Sequence, residues 1–210
     1  MYTFNEEHFE TQAIKTKNLF YKYKAKRLVI DGNGLGIGFI DYMIKPQITQ
    51  DGEVLPDFGV YNDDENFYKK YQTPNCEKDA IYIIKANAPI NTEAHSVTRS
   101  EIEGGTVKFL IDEKTAQSKL MTTKLGKSMT PEKRKEYLHP YVLTSILREE
   151  MLNLREDNEG VNIILKRASK RLEKDKFSSF EYGLYYIKQE EERLKKKRNR
   201  FNAKDWCFLN

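Results

Sequence analysis

The stretch Arg27-Leu28-Val29-Ile30-Asp31-Gly32-Asn33-Gly34-Leu35-Gly36-Ile37-Gly38-Phe39-Ile40-Asp41 decides how the rest of the chain is read. Leu28, Val29 and Ile30 form a short apolar run, the pattern of a strand buried on both faces. Asp31 closes the run, and Gly32, Gly34, Gly36 and Gly38 turn the chain and leave its backbone bare. Phe39, Ile40, Met43 and Ile44 mark the helix that follows. A carboxylate at the tip of a central strand, facing a glycine-lined crevice, suits a metal-dependent site. The same carboxylate also suits a cap for the next helix. Nucleotide binding is disfavoured by spacing: Phe39 stands where a dinucleotide fingerprint needs its third glycine, and no Gly-Lys-Ser/Thr closes a phosphate loop.

Upstream of this strand, Phe9, Ala13, Thr16, Phe20 and Tyr23 recur at 4-3-4-3 spacing and define one face of a helix from about residue 6 to residue 25. Lys15, Lys17, Lys22 and Lys24 lie mostly off that face and read as its solvated side. Helix, strand and helix in succession indicate an α/β layer fold. Downstream, Pro46 stops the second helix, and residues 47–79 read as an irregular excursion with a short strand near residues 58–61. Asp63, Asp64 and Glu65 form an acidic turn there without EF-hand spacing.

Residues 80–86 are the second clear strand, followed by a helix capped at Asn91 or Thr92 and running to about Glu103. His95 lies in that helix and reads as an ordinary surface or satisfied side chain. A third strand is expected over residues 106–111, then a helix and a mobile loop around Gly126 within 112–130. Pro131 marks a helix start. A long helix is expected from about Pro140 to Arg155, then a turn at residues 158–160 and a fourth strand over 161–165. Lys166-Arg167-Ala168-Ser169-Lys170-Arg171 has four cations in six residues. Phe177, Phe180, Leu184, Ile187 and Leu194 mark a last amphipathic helix. Asp175 stands just ahead of it, either as an acid favouring the helix N-terminus or as a second functional carboxylate beside the basic strip. The end of the chain is basic and aromatic, through Arg193, Lys195 and Lys196 to Trp206 and Phe208.

Across its 210 residues the chain is 32% charged, yet 39% hydrophobic with 12% aromatic residues, enough for a packed core and too much for a disordered chain. The net charge of +4 is modest, with the positive charge gathered toward the C-terminus. Cys76 and Cys207 have no metal-ligand spacing, which points to a reducing compartment and leaves a lone disulfide as the other arrangement. No apolar stretch spans a bilayer, and the polar, acidic start is unlike a signal peptide. A soluble intracellular protein is expected.

Residues 28–41 and Lys174-Asp175-Lys176-Phe177-Ser178-Ser179-Phe180-Glu181-Tyr182-Gly183-Leu184, taken together and in this order, resemble the nuclease domain of the large terminase subunit of tailed phages. The first looks like the family's second acidic motif and the second like its third, and the likeness covers most of residues 5–195. The resemblance implies an α/β fold with an RNase H-like mixed sheet flanked by helices over residues 1–195, followed by a tail over 196–210. It implies cleavage of double-stranded DNA with divalent ions, Mg²⁺ or Mn²⁺, held by acidic residues, of which Asp31 and Asp175 would be two. Lys166, Arg167, Lys170 and Arg171 would then hold the DNA backbone by charge. The portal and the small terminase subunit are the implied protein partners, and the host cytoplasm is the implied location.

The family's first acidic residue lies on a strand upstream of the helix expected at residues 6–23. The chain is therefore expected to correspond to the C-terminal part of a terminase, N-terminally incomplete, without the ATPase motor or the first strand. An incomplete acidic cluster would bind metal poorly, and an open sheet edge would favour homo-oligomers. Two other readings stand beside this one. In the first, a non-catalytic DNA-binding or packaging-assembly module uses the basic helix ends. In the second, a small-molecule α/β enzyme uses the glycine turn.

Overall fold

The chain was analysed as a computed structural model that describes Phe4, residues 7–171 and residues 173–198. It divides into two units, residues 2–87 and 88–210. In the first, α1 (Phe9–Lys22) leads to β1 (Leu28–Asp31), α2 (Leu35–Met43), a hairpin of β2 (Gln47–Ile48) and β3 (Val54–Leu55), β4 (Phe58–Val60) and β5 (Glu77–Ile84). The sheet is parallel, in the order β1-β5-β4. The expected central position of Leu28–Asp31 is thus corrected: β1 is an edge strand with half-buried residues, and β5 is the centre. Both runs are apolar, but only β5 has a partner on each side, and it carries Ala80, Ile81, Ile83 and Ile84 at 6% exposure or less. A mixed sheet is also not what forms among the described residues. Antiparallel pairing is confined to two separate hairpins.

Ala13 and Phe20 of α1, with Ile40 and Met43 of α2 and Ile44 just after it, pack onto Phe58, Val60, Ile81 and Ile83. Burial of each large side chain stabilises by about 1.5–3 kcal/mol. Lys17 falls on this same face, at i+4 from Ala13, and is fully buried, contrary to the solvated role expected of it. Its ammonium donates to the carbonyl oxygens of Lys45 at 2.6 Å and Pro56 at 2.8 Å, and lies 5.2 Å from the centre of the Phe58 ring. Burial pushes its pKa down to about 8, against the pull of Asp57.

The link from β4 to β5 contains one short 3-10 helix, Lys69–Tyr71, and is otherwise held by side chains. Asp63 accepts the backbone N–H groups of Phe67, Tyr68 and Lys69 at 2.8–3.0 Å, so the acidic turn is a backbone clamp. Buried Asp57 takes both the N–H and the hydroxyl of Thr73, at 2.9 and 2.5 Å. Asn62 pairs with both backbone groups of Ile83, at 2.8 and 2.9 Å, as another strand would. The Cys76 thiol is pushed up to about 12 by burial and the Asp57 carboxylate, which makes it a poor nucleophile.

The second unit holds α3 (Ala88–Glu103), α4 (Glu113–Thr122), α5 (Lys124–Ser128), α6 (Pro131–Leu152), a hairpin of β6 (Leu154–Glu159) and β7 (Asn162–Arg167), and α7 (Asp175–Arg198). Residues 106–111 are not a strand. The loop expected around Gly126 is the short helix α5, started by the Thr123 hydroxyl accepting the Gly126 N–H at 2.9 Å. α6 starts at Pro131 and passes straight through Pro140, then ends at Leu152. Residues 154–159 are a strand, where the helix was expected to run to about Arg155 and a turn to begin at residue 158. Their sequence has no apolar alternation, and antiparallel pairing with β7 around Gly160-Val161 decides their state.

Glu150, 2% exposed on α6, accepts the Phe177 N–H at 2.9 Å and the Lys176 ammonium at 3.3 Å, and so caps the start of α7. The buried line of α7 is Phe177, Glu181 and Tyr185, while Ile187 and Leu194 of the expected apolar stripe are 52% exposed. The tail with Trp206 and Cys207, the start at residues 1–3 and Leu172 lie outside the described residues. No described helix is long and apolar enough to cross a membrane.

Replacing Lys17 by Met keeps the stem and deprives the Lys45 and Pro56 carbonyls of their ammonium donor. Urea denaturation is expected to show a loss of about 2–4 kcal/mol, and an unchanged midpoint would refute the role given to the ammonium.

Candidate functional site

Asp31 is exposed at the carboxyl end of β1. Its Oδ1 accepts the Asn33 N–H at 3.0 Å. The turn is tied to the end of β5 by Gly32 N–H donating to the Ile84 carbonyl at 2.7 Å and Asn33 Nδ2 donating to the Ala86 carbonyl at 2.8 Å. Gly34 stands at the N-cap position of α2 with φ of 54° and no side-chain cap, so Asp31 caps the turn and not the helix. A β-carbon on Gly36 would sit 1.7 Å from the Asp31 carbonyl oxygen. Only glycine lets the first turn of α2 lie against the strand end.

Asp175 is exposed in the first turn of α7, in the second unit. Of the basic strip, Lys166 and Arg167 end β7, and Lys170 and Arg171 follow it, exposed. Lys166 donates to Asp157 across the hairpin, which raises its pKa and holds Asp157 below the usual carboxylate range.

Among the described residues no group of three or more His, Cys, Asp or Glu side chains is placed to hold a metal ion. The donor at Asp31 nonetheless has the right chemistry for Mg²⁺ or Mn²⁺: an accessible hard oxygen. Mg²⁺ is commonly held by one or two carboxylates together with substrate phosphate oxygens.

A second constellation lies wholly within residues 88–210. His95 Nε2 is 2.7 Å from Glu156 Oε1, and Nδ1 is 3.5 Å from Glu181 Oε1. Arg99 Nη1 lies 3.1 Å from each oxygen of Glu156, and its Nε donates to Glu103 at 2.9 Å. The Glu181 carboxylate beside Nδ1 raises the His95 pKa above its usual 6.5, with burial opposing the effect and Glu156 adding to it. At 3.5 Å the Nδ1 approach is long for a hydrogen bond and acts mainly as charge attraction. His95 Nδ1, Glu181 Oε1 and Thr98 Oγ1 are all buried without a hydrogen-bond partner. His95, Arg99, Glu103 and Glu156 border an open cleft of about 520 Å³ and, with Thr98, a second pocket of about 250 Å³.

The sequence places His95 in a helix but contains no signal that brings Glu156 and Glu181 to it. The three are scattered along the chain, and Glu156 lies on β6, a strand the sequence reading did not expect. No family model, curated protein or solved structure matches the chain.

A raised imidazole pKa adds stability that is fully present below pH 6.5 and is lost as pH rises through the folded-state value. NMR of the His95 ring is expected to titrate above pH 6.5. The thermal midpoint is expected to fall over that interval in the parent and to stay flat there in His95→Gln. A midpoint at or below the ordinary value would refute the arrangement.

Proposed function

We propose that the chain is part of a metal-dependent endonuclease of the phage DNA-packaging type, acting on double-stranded DNA with an RNase H-like sheet, in the cytoplasm of a bacterial host. The observation that carries this reading is Asp31: an exposed carboxylate at the carboxyl end of a parallel strand, on a turn whose Gly36 tolerates no side chain. Asp31 would hold Mg²⁺ or Mn²⁺, and Asp175 is the second ligand that the terminase resemblance implies. When bound, such ions activate water and stabilise the leaving oxygen of a phosphodiester. Asn33 fixes the Asp31 carboxylate through its N–H. Lys170 and Arg171, with Lys166 and Arg167, would hold the phosphate backbone without reading sequence.

A second reading, a non-catalytic DNA-binding or packaging-assembly module, is favoured by the lack of a three-ligand acidic group among the described residues. Both readings put DNA on the basic strip. They separate on the aspartates.

Plasmid nicking with Mn²⁺ is the test, on this chain and on one extended upstream. Asp31→Asn and Asp175→Asn are each expected to lower cleavage by about a hundredfold or more. Failure of the extended chain to cut, or full activity in both variants, rejects the nuclease reading. DNA binding is expected to weaken with salt. Replacing Lys170 and Arg171 by Gln should make the log–log slope shallower by about 0.9 for each phosphate no longer neutralised.

A further inference from the structure

One hydroxyl of α3 departs from its neighbours. Thr92 and Ser96 each donate back to a carbonyl one turn earlier, that of Ala88 at 2.9 Å and that of Thr92 at 2.8 Å. This is the ordinary resort of a hydroxyl inside a helix. Thr98 is 2% exposed, and its Oγ1 has no hydrogen-bond partner in the protein. Buried polar groups without a partner are rare and costly.

Thr98 stands on the wall of the pocket of about 250 Å³, which is built wholly within residues 88–210. Ile102, four residues on, shares its helix face. Leu154 and Leu165 share one face of the β6–β7 hairpin, because Leu165 pairs with Glu156, two residues from Leu154. Met151 of α6 and Phe177 of α7 add to the same wall. Ile102, Met151, Leu154 and Leu165 are only half-buried, so apolar surface remains to be covered. The hairpin is held on α3 by the Ile163 N–H, which donates to the Thr92 hydroxyl at 3.0 Å.

The charged side chains at this pocket are already matched. Glu156 pairs with His95 and Arg99, and Glu103 pairs with Arg99. A cation would have to break these pairs, and an anion would meet two carboxylates. A neutral occupant faces neither cost. A bound water needs two to four polar partners. Apart from the ion-paired groups, the lining side chains offer only the Thr98 hydroxyl. An apolar cavity of about 150 Å³ is enough for one benzene ring, so this pocket has room for a ring with a substituent. The Phe177 ring and the Met151 thioether favour an aromatic partner.

We propose that this pocket binds a small neutral aromatic molecule carrying one hydroxyl or N–H group. The ring covers the apolar wall, and the polar group is hydrogen-bonded to Thr98 Oγ1.

The full chain is titrated with phenol and indole, with toluene, benzoate and benzylammonium as comparisons. The readouts are calorimetry and the NMR signals of the Thr98 and Met151 methyl groups. Saturable binding of phenol or indole is expected, with a Kd of about 1 mM or tighter. Both charged rings should bind at least about tenfold more weakly. Thr98→Val keeps the shape and removes only the hydroxyl, so the variant is expected to fold with a thermal midpoint no lower than the parent's. It should bind the hydroxyl- or N–H-bearing ring about tenfold more weakly, and toluene no more weakly. Leu165→Trp, which fills the pocket, should abolish binding of every ring. Absence of saturable binding by both phenol and indole overturns the proposal and leaves Thr98 to water. A charged ring that binds as tightly as the neutral ones overturns it too, as does an affinity unchanged in Thr98→Val or surviving in Leu165→Trp. No DNA or metal ion enters these titrations, so their outcome is independent of the nuclease reading.

Discussion

One buried ammonium ties the first unit together. Lys17 joins α1 to the end of the α2 turn through the Lys45 carbonyl and to the start of β4 through the Pro56 carbonyl. Those carbonyls lie in irregular segments outside any sheet or helix, so their donor has to come from a side chain. Lysine reaches both because its ammonium has several donors on a long stem. Desolvation pushes its pKa down to about 8, so the arrangement is held against a real electrostatic cost.

The second unit solves a similar problem with the opposite charge. The first N–H groups of α7 have no partner inside the helix, and buried Glu150 of α6 supplies one. Glu181, one turn further along α7, is buried as well, and His95 is its nearest charged neighbour. The packing of α3, β6 and α7 therefore depends on the His95 proton, which is held more tightly than in a free imidazole.

The two functional readings draw on different physics. The Asp31 turn is exposed and built on backbone geometry, with Gly36 pressed against the strand end. It offers hard oxygen to an ion and phosphate. His95, by contrast, is half-buried between two carboxylates, Glu156 and Glu181.

Much of this molecule is legible in its sequence. The run at Leu28–Asp31, the part of β5 from Ala80 to Ile84, the glycine turn between strand and helix, Pro131 at a helix start and Asp175 at another all follow from local chemistry that each segment carries with it. Tertiary structure alone decided that β5 and not β1 is central, because two apolar runs look alike until the number of their neighbours is known. It alone turned residues 154–159 into a strand, since their partner β7 supplies the hydrogen bonds that their own pattern does not announce. It also put Lys17, Glu150 and Glu181 inside. Composition marks a charged residue as a surface residue. Only the folded chain can bring it the distant carbonyl, N–H or imidazole that makes burial tolerable.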